Sequence, residues 1–319
     1  MGDIVHTLPA AASLKRSHPD SHLTWVVEPR WAPLLEENPF VDRVVSLRYG
    51  TLSALRASWR DLRDRRYDFG VDFQGLLKSA LIAKLAGPQR IFGYHYAHTR
   101  ETSAALFYSD TICFAEKSFS GSMHRVDKYL KLAAMAGAST IVRAFPLPLG
   151  RPEGDLPTGD FVLASPLAGW RSKQWPLENY EALARRLASE MGVSLALNGP
   201  PSAASAFAQV PGAWHHFSGV PGLIDATRRA AAVIGVDSGP LHIAAALGKP
   251  GVAIFGPTDP AQTGPYGGSL TVLYSPSRGA AYKRRAAIDE SMRQISPNQV
   301  FEALRAVLGQ RRRSGGCLV

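Results

Sequence analysis

The sequence predicts an α/β fold of two domains, each built on a parallel sheet, and three observations support this prediction. Short apolar strands alternate with helical stretches along the chain. A segment rich in proline and glycine at 145–160 interrupts this alternation, which then starts again. The length of 319 residues suits two domains of about 150 residues better than one core. We therefore expect domains at 1–150 and 151–319, with parallel sheets facing a central cleft in which ligands bind.

The first half contains four apolar runs with the composition of strands. They are rich in β-branched and aromatic residues, and helical patterns lie between them. Nearly continuous apolar strands separated by helices indicate a parallel sheet that is covered on both faces. The predicted strands are Leu23–Glu28, Val44–Leu47, Phe69–Phe73 and Arg90–Tyr94, and the predicted helices are 52–66 and 76–85.

The second half repeats the same alternation after the linker. Its strand-like runs are again apolar throughout, and its helices carry the usual Pro and Gly boundary signals. A last helix closes the chain. The predicted strands are Phe161–Pro166, Val193–Gly199, Ala232–Asp237 and Gly251–Pro257, and the predicted helices are 176–191, 240–247 and 297–308.

Composition favours a globular protein with anionic ligands. The chain carries 36 basic and 26 acidic residues, a net charge of +10 that suits nucleic acid, anionic lipid headgroups, phosphates or acidic sugars. Two cysteines, Cys113 and Cys317, are too few for a disulfide framework and predict a reducing compartment. No apolar run approaches the roughly 18–20 residues of a membrane span. We also expect no signal peptide, because Met1 leads directly into Gly2 and Asp3.

Several common catalytic motifs are missing from the sequence. It contains no G-x-G-x-x-G, no Walker A loop, no D-x-D pair and no G-x-S-x-G elbow. The close histidine pairs, His18 with His22 and His95 with His98, lack a third ligand nearby and are predicted to be surface or loop residues. We therefore predict no metal site and no resident cofactor.

The segment VDSGPLH marks the strongest ligand site of the second half. A strand ends at Val236, and Pro240 stands where the first helical residues of the next helix are expected. Such a turn leaves helix N–H groups and the positive end of the helix dipole available to an anion, with His242 in the first turn. An ordinary N-cap by Asp237 or Ser238 would explain the same pattern.

The loop SPLAGWRSKQWP offers a second ligand site between a predicted strand and a predicted helix. Lys173 lies in this loop, where its amine would neutralise a phosphate. The alternative is a solvated loop lysine. The flanking Trp170 and Trp175 argue against simple solvation.

The first half offers polar clusters whose meaning the residues alone leave open. Asp72, Gln74 and Lys78 follow a strand end and are either cleft groups or a capped helix with an exposed lysine. Arg56, Arg60 and Arg63 share one helix face and either bind an anion or form a solvated basic face. Gly2 and Asp3 are predicted to form a loop before a helix that starts at Ile4. Asp3 is then either a helix N-cap or a general base.

These segments, taken in order, resemble glycosyltransferase family 9, the ADP-heptose:lipopolysaccharide heptosyltransferases. The segments WVVE, QGLLKSA and GPTDPAQTGPYG resemble heptosyltransferase I more than heptosyltransferase II. The resemblance implies a GT-B fold with two Rossmann-like domains, of which the first binds the acceptor and the second the nucleotide sugar. The matching segments are MGDIVHTLPA, WVVE, DFQGLLKSA, RE at Arg100-Glu101, SKQWP, VDSGPLH and FGPTDP.

The resemblance also implies a reaction and a set of site residues. The enzyme would move L-glycero-D-manno-heptose from ADP-heptose to the Kdo of Kdo-lipid A, with inversion and without a metal. Asp3 would take the proton of the acceptor hydroxyl, and Lys173 would face the diphosphate as a second catalytic residue. The implied donor-binding residues are Ser165, Gly169, Lys173, Asp237, Ser238, Gly239 and His242, and the implied acceptor-binding residues are His6, Arg56, Arg60, Gln74, Lys78 and Arg100.

Two departures from the family pattern and three alternatives remain at this point. The family has a strand before MGD that this chain lacks, so we expect neighbouring strands to be left unpaired. The family also commonly has an acidic residue after Gly199, and GPPSAASA has none. The alternatives are another GT-B transferase, a nucleotide-sugar epimerase, and an inactive nucleotide-binding protein. We expect a monomer that acts at the cytoplasmic face of the inner membrane and binds no nucleic acid.

Overall fold

The computed structural model describes residues 1–48, 51–114, 123–276 and 286–315, and the chain divides into two compact units. The N-terminal unit comprises Asp3–Pro148. The C-terminal unit comprises the residues from Leu149 onward together with Met1–Gly2. The segment 145–160 contains no helix and no strand, and Cys317 lies outside the described residues.

Five short strands in the described residues of the N-terminal unit form two parallel sheets. They are β1 (Thr24–Val27), β2 (Arg43–Ser46), β3 (Phe69–Val71), β4 (Arg90–Tyr94) and β5 (Asp110–Ile112). β1 pairs with β2, and β3, β4 and β5 form the other sheet in that order. Within the described part of this unit, no strand lies between β1 and β3. β1 therefore pairs only with β2, and β3 pairs only with β4. The four predicted strands are confirmed. β5 was not predicted, because three residues that begin with an aspartate give no strand signal.

Four helices lie in the described part of the N-terminal unit, with short 3₁₀ segments between them. They are α1 (Gly2–Ser17), α2 (Leu52–Arg63), α3 (Leu77–Ala86) and α4 (Arg125–Met135), and the 3₁₀ segments are Pro29–Leu35, Tyr96–His98 and Thr102–Phe107. The predicted loop at Gly2 and Asp3 is wrong, because the helix already begins at Gly2. An acidic side chain in a first helical turn is favoured by the helix dipole. α4 was not predicted.

α1 is buried around its whole circumference. Every residue from Ile4 to Leu14 is buried, which requires that its polar side chains find partners inside the protein. The Thr7 hydroxyl donates to the Asp3 carbonyl at 2.7 Å, and the Ser13 hydroxyl donates to the Pro9 carbonyl at 2.7 Å. α1 is therefore a core element that holds its first turn, including Asp3, in a fixed position within this unit.

The C-terminal unit contains one continuous parallel sheet of six strands. They are β6 (Phe161–Ser165), β7 (Ser194–Gly199), β8 (Trp214–Phe217), β9 (Ala232–Val236), β10 (Gly251–Phe255) and β11 (Leu270–Tyr274). Their order is β11-β10-β9-β6-β7-β8. Every residue of the central strands β6, β9 and β10 is buried, as expected for a parallel sheet covered on both faces. The four predicted strands of this half are confirmed, and β8 and β11 were missed.

The helices of the C-terminal unit cover both faces of this sheet. They are α5 (Leu177–Arg186), α6 (Ala204–Phe207), α7 (Val220–Arg229), α8 (Gly239–Ala246), α9 (Pro260–Thr263), α10 (Glu290–Arg293) and α11 (Pro297–Gly315). Leu183 of α5 and Leu304 of α11 pack with Val162 and Ile234 in one core cluster. α7 and α8 pack against each other, and α8 packs against β9. No helix in the described residues combines the length and apolarity that a membrane span requires.

Candidate active site

The C-terminal unit brings the predicted Lys173 and Asp237 together as a buried ion pair. β6 and β9 are neighbours in register, with Ser165 beside Gly235, so the loops that follow them leave the same edge of the sheet. Lys173 Nζ lies 2.6 Å from Asp237 Oδ2, and the two side chains are only 11% and 7% exposed. The alternative of a solvated loop lysine is wrong. The Trp170 ring lies beside the same amine, 4.5 Å from Nζ to the ring centroid, and adds a cation–π contact.

Asp237 is ionised and is held by Lys173 and His242. Burial raises the pKa of Asp237, but the hydrogen bond with His242 and the charge of Lys173 outweigh it and hold the pKa well below its usual range. His242 Nε2 lies 3.7 Å from Asp237 Oδ1, on the oxygen that Lys173 does not contact. The three side chains therefore form a fixed charged group at the end of β9.

The N-terminus of α8 follows directly and is not capped by its own N-cap side chain. Ser238 is the N-cap residue with extended backbone angles, and its hydroxyl accepts no capping hydrogen bond. Ser238 Oγ is buried and has no hydrogen-bond partner in the structure. A helix end with open N–H groups and a buried hydroxyl without a partner suits an anionic ligand. The ordinary N-cap at Ser238, left open by the sequence, is not observed. Gly239 and His242 lie in the first turn of this helix.

Two further predicted donor residues lie on the β6 side of the same edge. Ser165 is the last residue of β6 and lines a small pocket with Gly235 and Pro240. Gly169 lies in the turn that follows, and a Cβ atom there would meet nothing within 4 Å. Open space at Gly169 leaves its backbone accessible from solvent.

In the N-terminal unit, Asp3 is held by two arginines that are distant in sequence. Arg100 donates from both terminal nitrogens to the two carboxylate oxygens at 3.0 and 2.8 Å. Arg125, at the start of α4, donates to Oδ1 at 2.9 Å. Asp3 lies in the first turn of α1 and is not an N-cap residue, so the N-cap alternative is wrong.

These contacts set the charge state of Asp3. Burial raises the pKa of Asp3, but the hydrogen bonds and charge of Arg100, with the charge of Arg125, hold it well below its usual range. The side chain nevertheless remains one-third exposed, at 33%. Asp3 is thus an ionised carboxylate that an incoming molecule can reach.

A second carboxylate network fixes Arg100 in place. Glu101 N–H donates to the Gly75 carbonyl at 3.0 Å, and Leu77 N–H at the start of α3 donates to Glu101 Oε2 at 2.7 Å. Glu101 therefore satisfies an open N–H group of α3 from another part of the chain. This double connection ties the segment that carries Arg100 to the loop before α3.

The Asp72 carboxylate holds the loop before α3 by hydrogen bonds. Its Oδ1 accepts the Gln74 N–H at 2.8 Å, and its Oδ2 accepts the hydroxyls of Ser79 and Tyr108, each at 2.7 Å. All of these contacts are internal, so Asp72 serves the loop and α3. Of the two alternatives for this cluster, the helix is capped, but by Ser79 and Glu101, whereas Asp72 holds the loop before α3.

The remaining predicted acceptor residues lie in different settings. His6 is buried, and its ring meets the His124 ring edge-on at 5.6 Å between centroids. Gln74 is exposed. Lys78 is 54% exposed and lies 3.1 Å from Glu28. Arg56 and Arg60 are exposed on α2.

Sequence reasoning missed three residues of these networks. Arg125 reaches Asp3 across 122 positions, and nothing in the local pattern signals that approach. Glu101 was noted only as part of a dipeptide, and Tyr108 was not noted at all. Gly93 within β4 gave one available signal, since a Cβ atom at this position would collide with the Tyr108 ring.

The histidine pairs also behave differently from expectation in one case. His98 is buried, and its Nε2 accepts the Phe114 N–H at 3.2 Å, so the prediction of a surface or loop residue is wrong for His98. A buried backbone N–H needs an acceptor, and the imidazole supplies it. Among the described residues, no three His, Cys, Asp or Glu side chains are grouped so that they could hold a metal ion.

The family assignment rests on a match that covers most of the chain. A family model described as glycosyltransferase family 9 (heptosyltransferase) matches residues 55–291. The chain belongs to this family. It is therefore a glycosyltransferase. The curated relatives that this family 9 enzyme resembles include the lipopolysaccharide heptosyltransferase 1 of Pseudomonas aeruginosa, 30% identical over 86% of this chain and 81% of the relative.

Other relatives and solved structures agree with the family 9 assignment. The lipopolysaccharide heptosyltransferase 1 of Escherichia coli K12 is 27% identical over 92% of this chain and 96% of the relative. The structure of the Escherichia coli heptosyltransferase WaaC with ADP matches with a TM-score of 0.75, 24% identity, and coverage of 96% of this chain and 97% of that chain. The family 9 enzyme thus has the predicted α/β fold of GT-B type, and an epimerase is not favoured.

Proposed function

We propose that this family 9 enzyme transfers L-glycero-D-manno-heptose from ADP-heptose to the Kdo of Kdo-lipid A, with inversion at the anomeric carbon. Its relatives at 27–30% identity named above are lipopolysaccharide heptosyltransferases 1, which favours the first heptose of the inner core over the second. The observation that carries the proposal is the buried Lys173–Asp237 pair beside the uncapped start of α8.

The C-terminal unit, which corresponds to the expected domain 151–319, binds the donor in this proposal. The diphosphate lies against the amine of Lys173 and the first N–H groups of α8, with Ser238 Oγ as a further donor. Asp237 accepts from hydroxyls of the heptose or the ribose. These groups are fixed before the reaction, so they stabilise the negative charge that develops on the leaving ADP without reorganising.

The N-terminal unit, which corresponds to the expected domain 1–150, binds the acceptor. Asp3 removes the proton of the Kdo hydroxyl as its oxygen forms a bond to the anomeric carbon, while the bond from that carbon to the diphosphate oxygen breaks. The same arginines that keep Asp3 ionised weaken it as a base. The carboxylates and phosphates of the acceptor compete for Arg100 and Arg125, and their arrival frees Asp3 for proton transfer.

The location and assembly follow from the acceptor. Kdo-lipid A is anchored in a membrane, so we propose a monomer that works as a peripheral protein at the cytoplasmic face of the inner membrane. His6, Gln74, Lys78, Arg56 and Arg60 stay predicted acceptor contacts. The described structure places Lys78, Arg56 and Arg60 on exposed surface, where an anionic acceptor has access.

A transfer assay combined with calorimetry tests this function. The purified enzyme receives ADP-heptose and Kdo-lipid A, and the product is detected by mass spectrometry, while ADP binding is measured by isothermal titration. We expect transfer of one heptose and ADP binding that Lys173→Met weakens. ADP binding without transfer would favour an inactive nucleotide-binding protein. Transfer from another nucleotide sugar, with none from ADP-heptose, would refute the donor assignment.

A further inference from the structure

α3 presents an apolar stripe to solvent, which is the reverse of the usual pattern for a surface helix. Leu77, Leu81 and Leu85 recur every four residues and therefore share one face. They are 37%, 38% and 40% exposed. The opposite face is already packed, because Ile82 and Ala86 lie against the cluster around Val45 and Leu47. The leucines therefore keep more than a third of their surface outside the packing of this unit.

Basic residues border the leucine stripe on both sides. Lys78 lies three residues before Leu81 and Lys84 lies three residues after it. Both lysines are exposed. α3 contains no acidic residue. A helix face with leucines in its centre and lysines at its margins matches the interface between hydrocarbon and headgroups of a bilayer.

The neighbouring helix α2 extends the same chemistry. Arg56, Trp59, Arg60 and Arg63 are spaced by three or four residues and are exposed, while Leu62 packs inward into the same cluster as α3. Arg63 lies over the Trp59 ring at 5.7 Å. Asp64, at the end of α2, pairs with Arg43, and among the described residues neither Arg56 nor Arg60 forms an ion pair with a carboxylate. The segment 51–66 carries five arginines against two aspartates.

Two further exposed apolar side chains lie on 3₁₀ segments near α3, one packed on α3 and the other packed on the first. The 3₁₀ segment Thr102–Phe107 packs on α3, and its Leu106 is 84% exposed. The segment Tyr96–His98 packs on that 3₁₀ segment in turn, and Tyr96 is 60% exposed. Exposed tryptophan and tyrosine are the aromatic residues that settle at the headgroup level of a membrane.

We propose that these residues form a docking surface for an anionic phospholipid bilayer, here called the α2–α3 surface: Arg56, Trp59, Arg60 and Arg63 of α2, Leu77, Lys78, Leu81, Lys84 and Leu85 of α3, and the adjoining Tyr96 and Leu106. The leucines enter the headgroup boundary, and the arginines and lysines contact lipid phosphates. Charge complementarity selects this occupant, since Lys78 and Lys84 border the stripe and the arginines of α2 lie beside it. The two nearest carboxylates are already engaged, that of Glu101 with the Leu77 N–H and that of Glu28 with Lys78. The inference deepens the proposed function, on which it rests only for its purpose: a membrane-anchored acceptor requires the enzyme at the membrane.

The proposed surface gives Arg56 and Arg60 of α2 a different ligand from the acceptor predicted above. Phosphate groups of the surrounding lipids offer the same chemistry to Arg56 and Arg60 as the acceptor does. In this proposal, both arginines contact the phosphates of the lipid bilayer. A second copy of the chain is the competing occupant of the leucine stripe.

Vesicle co-sedimentation tests the surface without any acceptor. The full-length protein is mixed with vesicles of phosphatidylcholine and phosphatidylglycerol, or of phosphatidylcholine alone. We expect binding to the anionic vesicles that falls with added salt. Leu81→Glu should lower the partition coefficient by about tenfold or more, because a charge replaces an inserted apolar group. Arg56→Gln with Arg60→Gln should lower it on the order of tenfold and flatten the salt dependence.

Matched variants in the C-terminal unit provide the controls. Val272 on β11 is 39% exposed, so Val272→Glu also replaces an apolar side chain by glutamate at nearly the exposure of Leu81. Arg185 and Arg228 are exposed on α5 and α7, and replacing both by glutamine makes the same change in net charge. These controls should bind vesicles like the unchanged protein. An equal loss of vesicle binding in the controls would mean that net charge alone explains the effect, and would overturn the proposal. The absence of vesicle binding by the unchanged protein would also overturn it.

Folding and activity are measured on the same variants. Thermal unfolding and ADP titration establish that Leu81→Glu is folded, and Leu77→Ser with Leu85→Ser is a milder second variant. Leu81→Glu should keep its transfer rate to a deacylated, water-soluble acceptor and lose rate only with acceptor held in vesicles. No transfer to either acceptor together with normal vesicle binding would refute the proposed function and leave the surface intact. A dimer that Leu81→Glu dissociates would show that a second copy occupies the stripe, and would overturn the lipid proposal.

Discussion

Asp3 and Asp237 are both ionised carboxylates with cationic partners, yet their surroundings differ. Asp237 is 7% exposed at the end of a central strand in a continuous six-stranded sheet, and Lys173 and His242 hold it. Asp3 is 33% exposed in the first turn of a buried helix, and Arg100 and Arg125 hold it. The buried carboxylate suits a fixed electrostatic platform, whereas the accessible one can exchange its partners and a proton with an incoming molecule.

The largest effect should come from breaking the buried pair of the C-terminal unit. Lys173→Met leaves the Asp237 charge buried with His242 as its remaining partner, so we expect a loss of about 3–5 kcal/mol in the free energy of unfolding. The transfer rate should fall by roughly 10²–10³-fold, because the leaving diphosphate loses a preorganised positive group. Chemical denaturation and steady-state kinetics measure the two effects. Adding Asp237→Asn should restore part of the stability and none of the rate. A rate recovered along with stability would mean that the pair is only structural.

The accessible carboxylate should affect the chemistry more than ligand binding. Asp3→Asn removes the proposed base and keeps the shape, and we expect a loss of roughly 10²–10⁴-fold in kcat. ADP affinity, measured by isothermal titration, should stay nearly unchanged because the donor groups lie in the other unit. Asp20→Asn, an exposed aspartate, is the control. A large loss of ADP affinity in Asp3→Asn would contradict a role confined to proton transfer.

The arginines around Asp3 should set the pH dependence of the reaction. Arg125 lowers the pKa of Asp3, so Arg125→Gln raises it and moves the acidic limb of the pH–rate profile to higher pH. Because the pKa is depressed in the folded protein, the ion pairs stabilise it at neutral pH, and that stability is lost as the pH falls below the usual aspartate value near 3.8. Arg125→Gln should weaken this acid-induced loss. Lys131→Gln on the same helix is the control. An unmoved limb would exclude Asp3 as its origin.

A smaller effect distinguishes a tyrosine hydroxyl that has a partner from one that has none. Tyr108→Phe removes a 2.7 Å hydrogen bond to the Asp72 carboxylate and should cost about 1.5–3 kcal/mol in the free energy of unfolding. Tyr180 is fully buried and its hydroxyl has no hydrogen-bond partner, so Tyr180→Phe should be nearly neutral or stabilising. Denaturant unfolding compares the two. Equal losses would mean that packing, and not the Asp72 contact, dominates at Tyr108.

The smallest expected effect is that of a chelator. Lys173 and the start of α8 supply the positive charge that stabilises the leaving diphosphate in the proposed mechanism. EDTA should therefore leave the transfer rate unchanged. Strong inhibition that magnesium reverses would show that these groups are insufficient on their own.

Local pattern predicted the long apolar strands and failed for short or weakly patterned elements. All eight predicted strands are present, since continuous β-branched runs have few alternative structures. β5 and β8 are short and were missed. β11 and α4 were missed as well, and their formation depends on packing that a local window does not contain. The predicted helix 176–191 was correct in extent, although its last turn, Leu187–Met191, is a π-helix. α11 runs to Gly315, beyond the predicted end at 308.

The sequence by itself determined the class of the fold, the strand–turn–helix that begins at Asp237, and the pairing of that turn with a loop lysine as a reasonable expectation. These features depend on apolar periodicity and on the glycine and proline signals of single turns, which act over a few residues. Only the tertiary structure decided that Arg125 reaches Asp3, that Glu101 holds the start of α3, and that the leucines of α3 face outward. Contacts between distant residues depend on how whole elements pack, and many packings are compatible with the same local pattern.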